Sequence, residues 1–262
     1  MSRYLMQLAL VSELDWLDRG RSWIYKGCGR RKRIPDTIGA APEEGNMTYT
    51  AEENKILDRI IENRRSVRAF RKDLIPTREM LEGVVHAGLW APYAAIMVPP
   101  GVEFRKFVIV QHHSPAIAKI HALMREQTKA ALDAMKDNFA EKPMPENLKA
   151  YVERMGMAVQ SGFPGFEDAP SLVVVAEHKA FRQVELKSLP HVVENMWLKA
   201  TCLGLGLQLM TVIELLSERK EFSEILGMPP NQYSYAGCIV GYPVNEPSPG
   251  QRPVDGTITR WI

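Results

Sequence analysis

Positions 64 to 68 read Arg64, Arg65, Ser66, Val67 and Arg68, which puts three guanidinium groups and a hydroxyl within five residues. Such a set suits a dianion. Each planar guanidinium fork can donate two parallel, charge-assisted hydrogen bonds to phosphate oxygens, and a serine hydroxyl can fill a further oxygen site. Arginines just past a helix also offset the negative end of its dipole, and the pattern alone leaves both readings open. Farther on, Gly204, Leu205 and Gly206 end a helix instead of opening one after a strand, so they are not a dinucleotide fingerprint. They read as a glycine C-cap with close backbone approach, or as a place where the backbone N–H groups beyond them face a flat ligand. The six histidines (His86, His112, His113, His121, His178, His191) lack metal-type spacing such as HExxH, and His112 and His113 would point to opposite faces of a continuing strand. Neither a GxSxG elbow nor a GxxxxGK[ST] loop is present. The three cysteines, Cys28, Cys202 and Cys238, are far apart, and the last two read as small buried hydrophobes. With no evident nucleophile or metal centre, a catalytic role requires an organic cofactor that brings its own chemistry.

The elements that must position these residues follow from periodicity and punctuation. Thr50 and Glu53 form a capping box, and Ile56, Leu57, Ile60 and Ile61 then share one face of a helix ending near Asn63, just before the arginines. A second helix starts at Thr77, carries Met80, Leu81, Val84, Val85 and Leu89 at helical spacing, and is stopped by Pro92. Residues 104–111 read as a strand. Ser114 and Pro115 open a long helix to about Asn138, with Ile117, Ile120, Met124, Ala131 and Met135 inward. A further helix runs to about Val159, and the apolar run 171–177 is a buried central strand. Ser188 caps a helix through about Leu203 with Val193, Met196, Trp197 and Ala200 inward. Residues 207–212 form a strand, residues 215–226 a helix closed by Gly227, and residues 233–240 a last strand. Helices outnumber strands and do not alternate with them, which predicts an α+β fold with a central sheet flanked by helices.

Composition bounds the function classes. The chain has 262 residues, 45% hydrophobic and 24% charged, with 33 Lys plus Arg against 31 Asp plus Glu. A formal charge of +2 gives no field that demands a polyanion, so a dedicated nucleic-acid binder is not expected. No apolar run approaches a membrane span, and the cysteine usage fits a reducing, cytoplasmic setting. Residues 1–47 differ from the rest. Seven basic and no acidic residues fall between Arg19 and Arg33, and a Pro/Gly/Ala-rich stretch follows. They read as a basic leader, with the functional domain at 48–262.

Taken together, several segments resemble the FMN-dependent nitroreductase family. They are residues 60–70 (IIENRRSVRAF), Ala91-Pro92 after a helix, Asp168-Ala169-Pro170 before an apolar strand, and Glu194-Asn195-Met196-Trp197-Leu198-Lys199-Ala200 leading to Gly204-Leu205-Gly206. Leu226-Gly227-Met228-Pro229 and Ile239-Val240-Gly241-Tyr242-Pro243 complete the order. The resemblance covers about residues 52–262. It implies a mostly antiparallel sheet flanked by helices and an obligate homodimer with FMN at the subunit interface. NADH or NADPH would deliver hydride to the flavin, and a small aromatic or quinone-like acceptor would collect it. It also implies that Arg64, Arg65, Ser66 and Arg68 contact the phosphate and ribityl chain, that Arg252 is a second phosphate contact, and that the backbone at Met210 and Thr211 lies against the ring near N5.

In the family, Ala-Pro continues with Ser, then a polar residue such as Asn, then Gln-Pro-Trp. Here Pro92 is followed by Tyr93, Ala94, Ala95, Ile96, Met97 and Val98. The resemblance places Pro92, Tyr93, Ala94 and Ile96 beside the flavin, where Ile96 cannot hydrogen-bond its edge. An apolar lip of this kind favours a flat, weakly hydrated acceptor. Two other readings stay open: a same-fold enzyme with different flavin chemistry, such as reductive dehalogenation or consumption of the flavin, and a non-enzymatic binding dimer.

Overall fold

A computed structural model of the chain describes residues 49–93, 101–141, 143–180 and 183–248. Its centre is a four-stranded antiparallel sheet in the order β1-β2-β4-β3, built from β1 (Arg105–Gln111), β2 (Ser171–His178), β3 (Gly206–Leu209) and β4 (Tyr233–Gly241). The unbroken apolar run of β2 has a direct cause. Leu172, Val174 and Ala176 face one hydrophobic core, and Val173 and Val175 face the other. Each such Val or Leu, fully buried, contributes roughly 1.5–3 kcal/mol.

Helices cover both faces. On one lie α2 (Arg78–Leu89) and α5 (Glu185–Cys202); on the other lie α3 (Pro115–Asn138), α4 (Glu146–Ser161), α6 (Val212–Leu215) and α7 (Lys220–Ile225). The α+β expectation holds, as do the starts of α1 (Ala51–Asn63), α2 and α3 at their caps Thr50, Thr77 and Ser114. Both arms of the capping box form: Thr50 Oγ1 accepts from Glu53 N at 3.2 Å, and Thr50 N donates to a Glu53 carboxylate oxygen at 2.7 Å. None of α1 is buried, however, and Ile56, Leu57 and Ile61 are 41%, 49% and 48% exposed.

Four boundaries or faces differ from expectation. Ser188 is not a cap: α5 begins at Glu185, and the Ser188 hydroxyl, buried within the helix, donates to Glu177. β3 ends at Leu209: the Met210 N–H still reaches the Gly237 carbonyl of β4 in register (2.8 Å), and the chain then turns directly into α6. The helix expected over 215–226 is two pieces, α6 and α7. At the break the Ser217 hydroxyl accepts the Tyr235 N–H of β4 at 3.1 Å. On α3 the buried stripe runs through Ile120, Leu123, Met124, Thr128 and Leu132, leaving Ala131 and Met135 only partly buried. Thr128 is tolerated there by donating back to the Met124 carbonyl at 2.7 Å.

Candidate functional site

The arginine segment leaves α1 as extended backbone, with Arg64 at φ −61° and ψ 122°. It docks on the sheet: Ser66 forms a parallel bridge with Leu207 of β3, and Val67 N donates to the Leu207 carbonyl at 3.2 Å. Gly206 makes this approach possible. A Cβ there would lie 2.6–2.7 Å from the Val67 side chain, so the missing methyl is the space Val67 fills. Gly204, at φ +72°, turns the chain out of α5, with Leu205 N donating to Ala200 O (2.8 Å) and Gly204 N to Thr201 O (3.1 Å). The two glycines therefore have structural duties. Gly206→Ala is expected to cost about 1–3 kcal/mol by overpacking. Gly83→Ala on α2, where the nearest atoms are 3.9 Å away, should be neutral or gain up to about 1 kcal/mol. Urea denaturation of the two variants checks this.

Docking sorts the side chains. Val67 is buried, whereas Ser66 and Arg68 are exposed and have no hydrogen-bond or ion-pair partner among the described residues. The half-buried Arg64 lies over the Trp197 ring, 4.6 Å to its centroid, with Nε 3.0 Å from a Glu194 carboxylate oxygen. Arg65 folds back, donating to the carbonyls of Arg64 (2.6 Å) and Ser248 (3.2 Å), while its own carbonyl accepts from Trp197 Nε1 at 3.1 Å.

One turn of α5 carries both this segment and the end of α2. Glu194 and Trp197 hold the arginines, Asn195 Nδ2 donates to the Ala87 carbonyl at 3.3 Å, and Met196 and Val192 pack under Gly88. Glu194 and Asn195 enter the sequence argument only as part of a family motif; their positioning roles become visible here. Just past α2, Pro92 is exposed and Tyr93 half-buried. The Tyr93 ring stacks on Phe104 (centroids 4.4 Å apart, 12° between planes), and its hydroxyl donates to the His178 carbonyl at 3.3 Å. Burial, reinforced by the Glu177 and Glu185 carboxylates, raises the Tyr93 pKa, keeping that hydroxyl a donor. Ala94, Ile96 and Arg252 lie outside the described residues, as do residues 1–47.

Beneath this turn sits a buried ionic group that sequence reasoning missed. Arg105, first in β1, stands opposite Glu177 in the antiparallel register, and their side chains pair at 2.6 Å while almost wholly buried. Ser188 also donates to Glu177, and the buried Glu185 accepts from Ala180 N (3.1 Å) and the Ser234 hydroxyl (3.3 Å). Desolvation raises the Glu177 pKa above the ordinary 4.5, with Glu185 adding to it and the Ser188 and Arg105 contacts opposing it. Its folded pKa therefore exceeds its unfolded one. The stability linked to holding that proton is full below the unfolded pKa and is lost as pH rises through the folded value. Glu177→Gln is expected to remove this decline, flattening unfolding free energy against pH above 4.5 in urea titrations.

Met210 is buried, and Thr211 is exposed at the start of α6, where no side chain caps the helix. Cys238 is buried and its thiol pushed up to about 12 by desolvation, so it is inert as a nucleophile. Cys202, expected buried, is exposed at the last turn of α5. His112 and His113 lie in a turn beyond β1, so strand alternation does not apply to them. Among the described residues no cluster of His, Cys, Asp or Glu is suited to a metal, and no helix is long and apolar enough to cross a membrane.

No curated protein matches the chain significantly. Solved structures do match its fold. A nitroreductase with bound FMN from Bacteroides fragilis NCTC 9343 is 20% identical, with a TM-score of 0.55 over 79% of this chain and 98% of that one. One with bound FMN from Desulfitobacterium hafniense DCB-2 is 20% identical, with a TM-score of 0.56 over the same shares. A BluB-like flavoprotein from Clostridium difficile 630 is 22% identical, with a TM-score of 0.58 over 79% and 98%. Residues 61–242 match the Nitroreductase family. That span runs from the end of α1 through the arginine segment, the α5 turn that holds it and the whole sheet, and the chain belongs to the nitroreductase family.

Proposed function

We propose that the protein is an FMN-dependent oxidoreductase that takes hydride from NADH or NADPH and passes it, in alternating half-reactions, to a conjugated acceptor such as a nitroaromatic or a small quinone-like molecule. The observation that carries this reading is the docked arginine segment. Ser66 and Arg68 are exposed beside backbone fixed to β3 and have no side-chain partner among the described residues, and Arg64 stands next to them in the chain with Glu194 as its carboxylate partner. Such a donor set, cationic in excess, fits a phosphate dianion. Bound FMN supplies two-electron hydride chemistry that no side chain here can perform. The chain's own part is to hold the phosphate with Arg64, Ser66 and Arg68, helped by Arg65 and Arg252, and to border the ring with the backbone at Met210 and Thr211 and the lip Pro92, Tyr93, Ala94 and Ile96.

The same proposal takes the protein as a homodimer. The apolar stripe of α1, exposed among the described residues, supports this, since Ile and Leu at helical spacing call for cover. It also takes residues 48–262 as the working domain and residues 1–47 as an appended leader, in a reducing, cytoplasmic setting without a nucleic-acid partner.

Titrating the purified full chain with FMN, then following NADH and NADPH oxidation with a naphthoquinone and with a nitroaromatic, tests the reading. Stoichiometric flavin uptake and parallel double-reciprocal lines are expected; a protein that takes up no FMN would overturn it. Product analysis after turnover separates acceptor reduction from dehalogenation or consumption of the flavin. Ile96→Asn is expected to shift relative kcat/KM from the naphthoquinone toward the polar nitro compound by about tenfold, the effect of one hydrogen bond. An unchanged ratio would place Ile96 away from the acceptor.

A further inference from the structure

Resting on that reading of the site, we propose that Glu194 is a positioning residue for the flavin phosphate: together with the Trp197 ring it sets the Arg64 guanidinium in place before the cofactor arrives. Glu194 and Trp197 lie three residues apart on α5 and so share one face of the helix. Trp197 Nε1 donates to the Arg65 carbonyl at 3.1 Å, and the Arg64 N–H donates to the Ile60 carbonyl at 3.1 Å, which holds the backbone on both sides of the Arg64 side chain. The guanidinium carbon then stands 4.6 Å from the centroid of the Trp197 ring, and Nε stands 3.0 Å from a Glu194 carboxylate oxygen. Nη1 and Nη2 have no partner among the described residues.

The charge of Glu194 by itself works against a phosphate. A carboxylate beside an anion site repels the ligand, and an ion pair open to solvent contributes little to stability. With Glu194 48% and Arg64 24% exposed, this pair is neither forced by burial nor a large source of folding energy. Its consequence is geometric. A free arginine side chain samples many rotamers, and a ligand that binds it must stop that motion at a cost in affinity. Here the ring bounds one face of the guanidinium and the carboxylate takes its Nε end, so the fork is already confined while Nη1 and Nη2 stay available. Arg68 is the contrast within the same segment: exposed and without a side-chain partner among the described residues, it has to be ordered by the ligand.

Positioning and charge repulsion predict opposite signs, which gives the test. Binding of FMN, and in parallel of riboflavin, which lacks the phosphate, is followed by fluorescence titration of the full chain. Glu194→Ala is expected to weaken FMN binding about fivefold although it removes a negative charge, and Glu194→Gln, which keeps an oxygen opposite Nε, to stay within about twofold of wild type. Riboflavin affinity should stay within about twofold in both variants. In the Arg64→Ala background, where no guanidinium is left to position, Glu194→Ala should weaken FMN binding no further. Unchanged or tighter FMN binding in Glu194→Ala would mean that the carboxylate only balances charge, and overturns the proposal. So does an equal loss for riboflavin, or a loss that persists without Arg64, since either shows a structural effect on the whole segment. Wild-type protein that takes up no FMN overturns the functional reading and this proposal with it; FMN uptake that does not respond to Glu194 overturns the proposal alone.

Discussion

Replacing Arg64 and Arg68 together with alanine is expected to weaken FMN binding by about two to four orders of magnitude and leave a folded apoprotein. Each charge-assisted hydrogen bond to an ionised group contributes roughly 1.5–3 kcal/mol, and about 1.4 kcal/mol is a factor of ten in affinity. Folding should survive for reasons visible in the segment. Its docking depends on Val67 in the space over Gly206, on backbone bonding to Leu207 and on Trp197 Nε1 reaching the Arg65 carbonyl, none of which involves the two guanidinium groups. Losing Arg64 frees the half-exposed Glu194 to water, at little cost. Fluorescence titration of FMN, with circular dichroism on the same samples, checks both halves. Flavin affinity unchanged in the double variant would mean that the arginines only finish α1.

The second large effect is on stability. Arg105→Ala is expected to cost about 3–5 kcal/mol, because it strands Glu177 in the core without its cation. A domain of ordinary stability has roughly 5–15 kcal/mol in total, so the variant should be marginal. The loss comes from the unpaired charge more than from a missing attraction. Arg105→Met/Glu177→Gln should therefore recover most of it, since the glutamine still accepts from Ser188 and brings no charge. Urea denaturation of the single and double variants measures the difference. If the double variant is as unstable as Arg105→Ala, the contacts of the Arg105 guanidinium with the carbonyls of Gly88, Leu89, Ala91 and Pro92 dominate and the charge is secondary.

Much of this protein is decided locally and could be read from the chain. The caps Thr50, Thr77 and Ser114 place three helices, because a short hydroxyl side chain satisfies N–H groups one turn ahead whatever the rest of the molecule does. The run 171–177 announces a strand covered on both faces by having no polar alternation. The arginine segment is legible as an anion clamp because its donors are adjacent in sequence.

What only the tertiary structure decided involves partners distant in sequence. Ser188 has the chemistry of a cap but lies inside α5, because Glu177 is there to accept its hydrogen bond. The helix expected over 215–226 breaks where Ser217 meets an N–H of β4, and Cys202 turns outward at the last turn of α5. Arg105 and Glu177 are 72 positions apart, and neither their separation nor their neighbours mark them as a pair. The antiparallel register brings them together, and burial then makes the pairing obligatory, since a charge removed from water requires its counter-charge at hydrogen-bond distance.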